Sequence, residues 1–138
     1  MKKLVLVLAL LVAIPVTLVG CSKSQVPAVK DDINGFVTAY NAGDYEKCVT
    51  YIVGITDANK ATIEGTLQGF KLAAPNIEVT NIDVTKIDGS TATAKVTLNV
   101  TIVGVAQPLE KTIQLTLSKV DGTWEFSLGD LMAAIMGG

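Results

Sequence analysis

Histidine and arginine are missing from this chain altogether. Without histidine, no side chain has an ordinary pKa near neutrality and no imidazole is there to bind a metal. That excludes Ser–His and Cys–His nucleophile pairs and most zinc or copper sites. Without arginine, there is no planar two-pronged donor for phosphate or carboxylate. Aromatic residues make up only 5% of the chain, and eleven lysines face thirteen acids. No basic stretch interleaved with aromatics occurs, so nucleic acid is not an expected partner. No cofactor and no metal are expected, and no catalytic residue is assigned.

Cysteine is nearly absent too, with two in 138 residues. The first, Cys21, ends an unusual stretch. The chain opens Met1-Lys2-Lys3 and then carries no charge from Leu4 to Gly20. A positive start, an apolar run and small residues before a cut are the layout of a secretory signal. A membrane-spanning helix needs about 20 apolar residues; Leu4 to Val19 is shorter and is interrupted by Pro15 and Thr17. Residues 1–20 are therefore expected to be removed, with cleavage between Gly20 and Cys21.

Leu18-Val19-Gly20-Cys21 resembles the lipobox of prokaryotic lipoproteins. The resemblance implies a diacylglyceryl group on the Cys21 sulfur, cleavage just before it, and often acylation of the new amino terminus. Two or more acyl chains give stable attachment where one is marginal. The implied location is the cell membrane or outer membrane, with the domain outside the cytoplasm. With Cys21 lipidated, Cys48 has no partner for an internal disulfide. It falls at helical spacing with Tyr45, Val49 and Ile52, the position of a small buried apolar residue.

Removing residues 1–20 leaves 118, the size of one domain with its own core. Residues 21–28 (Cys-Ser-Lys-Ser-Gln-Val-Pro-Ala) are polar and aperiodic and read as the lipidated cysteine and a short tether. The domain proper is expected over residues 29–128. Val29, Ile33, Phe36, Val37 and Tyr40 recur at helical spacing. Gly43 suits a left-handed cap and Asp44 the start of a second helix, with Tyr45, Cys48, Val49 and Ile52 on its apolar face. Thr56 or Asp57 can cap a third, carrying Ile63, Leu67, Phe70 and Ala74 and closed by Pro75. Gly65 and Gly69 weaken that helix, and their four-residue spacing either admits another backbone or is merely tolerated.

After Pro75 the period changes from 3.6 to 2. Ile77 and Val79, then Ile82 and Val84, alternate with a slip between them, the mark of a bulge near Thr80-Asn81. Asp88-Gly89-Ser90 turns the chain into its clearest pattern. Ala92, Ala94, Val96, Leu98, Val100 and Ile102 share one face, and threonines fill most of the other. Leu109, Ile113, Leu115 and Leu117 face inward on a third strand; Asp121-Gly122 is a hairpin signal; Trp124, Phe126 and Leu128 give a fourth. Residues 129–138 form a short apolar tail, which either lies exposed as a contact patch or folds back over a sheet edge.

The expected fold class is α+β: three N-terminal helices packed on a curved, four-stranded antiparallel sheet. This order, with Phe36-Val37-Thr38-Ala39-Tyr40-Asn41-Ala42-Gly43-Asp44-Tyr45 at its head and Asp121-Gly122-Thr123-Trp124-Glu125-Phe126 near its end, resembles the nuclear transport factor 2-like superfamily, the cystatin-like cone. The resemblance implies the cone and little about activity, because this fold hosts enzymes, binders and scaffolds. Some relatives are isomerases or dehydratases with an inward carboxylate or histidine. Here strand parity sends Asp83, Glu110 and Glu125 outward, and only Lys111 and Lys119 share the inward parity.

The expected function is a membrane-anchored envelope lipoprotein with a non-catalytic ligand- or protein-binding domain. Phe36, Tyr40, Phe70, Trp124 and Phe126 are the candidate lining of a pocket for a small apolar ligand. The alternatives are a small isomerase- or dehydratase-like enzyme using that cavity, or a structural module that pairs with a second copy.

Overall fold

The computed structural model describes residues 25–137. The lipobox with Gly20 and Cys21 lies outside the described residues. A first helix, α1, covers 25–42. It takes in Gln25 to Ala28, expected as tether, so the folded part begins earlier than Val29. Pro27 is tolerated near a helix start, where a missing N–H costs nothing. The buried stripe is the expected one: Val29, Ile33, Phe36 and Tyr40, with Ala39 added. At the far end Gly43 adopts φ 75°. Asp44 N donates to Ala39 O at 2.9 Å and Gly43 N to Tyr40 O at 3.1 Å, a Schellman closure.

The second helix is much shorter than its apolar spacing suggests. Helix α2 is a single turn, Tyr45–Cys48, with the Asp44 side chain accepting from Lys47 N at 3.2 Å. A 3₁₀ turn, Val49–Tyr51, follows, and Ile52 is extended and bridged to Phe126. Ile52 leaves the helix because the last strand offers its backbone a sheet partner. Helix α3 is Lys60–Ala73 with Asn59, not Thr56 or Asp57, at its N-cap position. Thr56 serves one turn earlier: its N donates to Asn59 Oδ1 at 2.7 Å, and its Oγ1 accepts from Asn59 N at 3.3 Å. Leu67 and Phe70 are buried and Ile63 half-buried.

Strands β1 (Asn76–Asp88), β2 (Thr91–Thr101), β3 (Leu109–Val120) and β4 (Thr123–Phe126) form one antiparallel sheet in sequential order. The slip in β1 is a bulge at Thr80, and a second lies at Thr85. Both threonines turn their hydroxyls onto β2, Thr80 to Thr97 O and Thr85 to Thr93 O, each at 3.2 Å. The two bulges bend the sheet around α1. The inward set of β2 is buried from Ala92 to Val100, as its alternation predicts. Leu109 departs from expectation: it opens β3 at the loop from β2 and is 39% exposed. The β3–β4 hairpin turns through Asp121 (φ 50°) and Gly122 (φ 85°), two successive left-handed residues.

The C-terminal tail is a fourth helix, α4, Leu128–Gly137. Leu128, Leu131 and Ile135 are buried in the same core as α1 and the sheet. The expected three helices are thus, among the described residues, three α-helices before the sheet, with a 3₁₀ turn between the second and third, and one α-helix after it. Of the two readings of the tail, folding back is the one observed. Strand β4 pairs only with Leu117 to Val120, and α4 packs on β3 where β4 has stopped. A helix laid on an unpaired edge shields it from other strands.

Candidate functional site

Four of the five aromatic residues proposed to line a pocket, Phe36, Tyr40, Phe70 and Phe126, are joined by ring contacts, and Trp124 is buried two positions before Phe126. Phe36, Tyr40, Trp124 and Phe126 are each at most 2% exposed, and Phe70 is 8% exposed. Phe36 meets Phe126 edge-on at 4.9 Å between ring centroids, and Tyr40 lies 6.3 Å from Phe36 and 6.0 Å from Phe70. The void left in the cone is about 10 Å³. Its walls are apolar side chains, among them Ile33, Phe36, Val96, Leu115, Phe126 and Leu131. A void of that size is about enough for one water, and an apolar one stays dry.

Charge is kept out of this interior. Among the described residues no polar or charged residue is fully buried. Asp83 and Glu110 are exposed on the outer face of the sheet, and Glu125 is half-buried there. Partial burial lifts the Glu125 carboxyl above its usual range, with the nearby Asp121 charge adding to the effect. Lys111 is half-buried, and Lys119 is exposed with Nζ 5.9 Å from the centre of the Trp124 ring. Among the described residues no group of His, Cys, Asp and Glu side chains could hold a metal.

Cys48 is fully buried, with Sγ 3.9 Å from Phe36 O. Burial pushes its thiol up to about 12, and the Asp44 charge acts in the same direction. A thiol in that state is an inert packing group. Burial likewise holds the Tyr40 phenol well above its ordinary value. The hydroxyl donates to Ala74 O at 2.5 Å, which ties the end of α1 to the end of α3.

Three residues that hold the cone together escape a pattern-based reading. Asn41 pairs its side-chain amide with the backbone of Ile77, Nδ2 to O at 2.7 Å and N to Oδ1 at 2.9 Å. Asp32 Oδ2 accepts from Trp124 N at 2.8 Å, joining α1 to β4 across 92 positions. Gly35 sits where a Cβ would come within 2.9 Å of Tyr51 Cζ. Asn41 had a signal in its place beside the helix-ending Gly43, and a glycine within a helix marks close approach. Asp32 had none. Gly65 and Gly69, spaced as if to admit a backbone, face open space, so no backbone packs on them.

Two wider clefts lie on the surface. One, about 460 Å³, runs between α2 and α3 and is lined by Asp44, Tyr45, Glu46 and Glu64. The Glu46–Lys60 pair at its rim is 3.9 Å apart and solvated, so it adds little. The other, about 250 Å³, separates Lys30 and Asn34 of α1 from Val79 to Ile82 of β1. Among the described residues no helix is long and apolar enough to cross a membrane.

Neither the family models nor the curated proteins include a match to this chain. Solved structures do match. A protein from Caulobacter vibrioides with a cystatin-like fold is 19% identical, with a TM-score of 0.55 over 75% of this chain and 84% of its own. An NTF-2 like protein of unknown function from Shewanella oneidensis MR-1 is 12% identical, with a TM-score of 0.54 over 74% of this chain and 93% of its own. A Novosphingobium aromaticivorans protein provisionally named scytalone dehydratase is 15% identical, with a TM-score of 0.54 over 77% and 81%. Likeness at this level of identity carries the fold and no activity. The chain folds as the cystatin-like α+β cone of the NTF-2 like proteins.

Proposed function

We propose that this chain is a lipid-anchored protein of the cell envelope, held by Cys21 to the cell membrane or outer membrane, whose cone is a non-catalytic interaction module. The observation that supports a surface role is the filled cone. The apolar side chains facing into the cone leave a void of about 10 Å³ between them. A drug-sized ligand needs some 300 Å³ or more. General acid–base chemistry needs a titratable group within reach of a bound substrate, and the cone wall is apolar. The anchor rests on the lipobox resemblance and the uncharged run before it.

Two measurements test the two halves of this reading. Fractionation of cells expressing the wild-type chain and Cys21→Ser separates anchored from released protein. The wild type is expected in the membrane fraction and the serine variant in the medium or periplasm; equal membrane retention overturns the anchor. Native mass spectrometry of the gently purified protein addresses the cone. A small molecule retained at one per chain would overturn the filled-core reading and reinstate a pocket, for a ligand or a substrate.

A further inference from the structure

Among the described residues, exposed aliphatic side chains gather where the β2–β3 loop meets the end of α3. Val103 is 67% exposed, Val105 45%, Leu109 39% and Leu72 77%. The loop is held in place: Val103 N donates to Ala73 O at 2.9 Å, and Val105 N to Ile102 O at 3.1 Å. From Ile102 to Leu109 there is no charge. Glu78 and Glu110 flank Asn99 in register on the outer face, and Asp44 and Glu46 follow the end of α1. Lys71 is at the same end, its Nζ held on Asn41 O at 2.8 Å.

The four side chains of the tip present on the order of a few hundred Å². A stable dimer buries about 800 Å² on each partner, so a second copy finds too little here. The distance to the anchor favours a different occupant. Gln25 is four positions after Cys21, a reach of at most about 14 Å. Helix α1 runs antiparallel to β1, with Lys30 and Asn34 beside Val79 to Ile82 and Asn41 on Ile77. The tip therefore lies about 25 Å along α1 from the anchored end. We propose that this tip is a second membrane contact. Resting on the lipid-anchor reading, the domain lies with α1 along the bilayer. Val103, Val105 and Leu109 enter the interfacial layer.

The test uses the mature lipidated protein with Val105→Cys carrying an NBD fluorophore. Cys48 is fully buried and escapes labelling. The protein is bound to vesicles of phosphatidylethanolamine and phosphatidylglycerol containing a nitroxide-bearing phosphatidylcholine. Thr112→Cys on the outer face serves as reference, and Val103→Cys gives a second position on the tip. Several-fold stronger quenching at 105 and 103 than at 112, with a blue-shifted emission, is the expected result. Equal quenching at all three positions in protein that floats with the vesicles overturns the proposal and leaves the anchor standing. A blue shift without lipid quenching overturns it in favour of a protein contact. Protein that fails to float, matching Cys21→Ser, overturns the anchor and this inference together.

Discussion

The side-chain amide of Asn41 completes the edge of β1 as a strand would, giving Ile77 both a donor and an acceptor at 2.7 and 2.9 Å. A lost hydrogen-bond partner that leaves buried backbone groups unsatisfied costs about 1–3 kcal/mol. Asn41→Ala is expected to destabilise the fold by about that amount in urea denaturation. Asn41→Asp keeps an acceptor for Ile77 N but sets a carboxylate against Ile77 O, so it should not rescue stability. Wild-type stability in the Asp variant would show that the carbonyl bond contributes nothing.

Cys48 and Tyr40 make the fold sensitive to alkali. Burial raises the thiol from its ordinary value of 9.0 to about 12 and raises the phenol as well. An acid with a raised pKa in the folded state contributes stability that is complete below its unfolded value and lost as pH climbs toward the folded one. The expected outcome is a melting temperature that is flat to about pH 9 and falls between 9 and 12, less steeply in Tyr40→Phe and Cys48→Ala. Cys48 should resist iodoacetamide at pH 8 in the native protein and react in urea.

Helix α3 carries two glycines at exposed positions where an added methyl group meets nothing. Gly65→Ala and Gly69→Ala are each expected to stabilise by about 0.5–1 kcal/mol, seen as a higher melting temperature. Gly35→Ala is the contrasting case, because its Cβ would run into the Tyr51 ring. It should destabilise unless Tyr51 is shortened as well, and a double-mutant cycle with Tyr51→Ala measures that coupling.

Leu131 closes the cone from the α4 side, beside Ile33, Phe36 and Leu115. Leu131→Ala is expected to cost about 2–5 kcal/mol through lost burial and the cavity left behind. Ending the chain at Ser127 uncovers both that interior and the β3 edge from Leu109 to Thr116. Association or aggregation at concentrations where the full chain stays monomeric is the expected result by size-exclusion chromatography. A monomeric truncated protein would mean that α4 shields nothing that matters for association.

Much of this fold is legible in the sequence because periodicity reports burial directly. The β2 alternation, the slip at Thr80, the helix stop at Gly43 and the Asp121-Gly122 turn are local patterns with local causes. What escaped is decided by partners distant in sequence. Ile52 leaves its helix because Phe126 offers it a bridge. Asp32 looks like an ordinary exposed helix acid until Trp124 N is beside it. The burial of Phe36, Tyr40, Phe70, Trp124 and Phe126 is legible from parity and spacing. Whether such rings surround a space or fill it depends on side-chain volumes summed over several elements, and spacing carries no information about volume.

The Asp32–Trp124 link also dictates when this protein can fold. Its partners are 92 positions apart, and the apolar stripe of α1 from Val29 to Tyr40 is covered chiefly by strands made after it. Contacts so far apart in the chain form late. As the chain is synthesised from its amino terminus, α1 has no finished surface to dock on until Trp124 and Phe126 have emerged. Nearly the whole chain is thus made before the cone can close, so folding follows the synthesis of β4 and does not accompany that of α1.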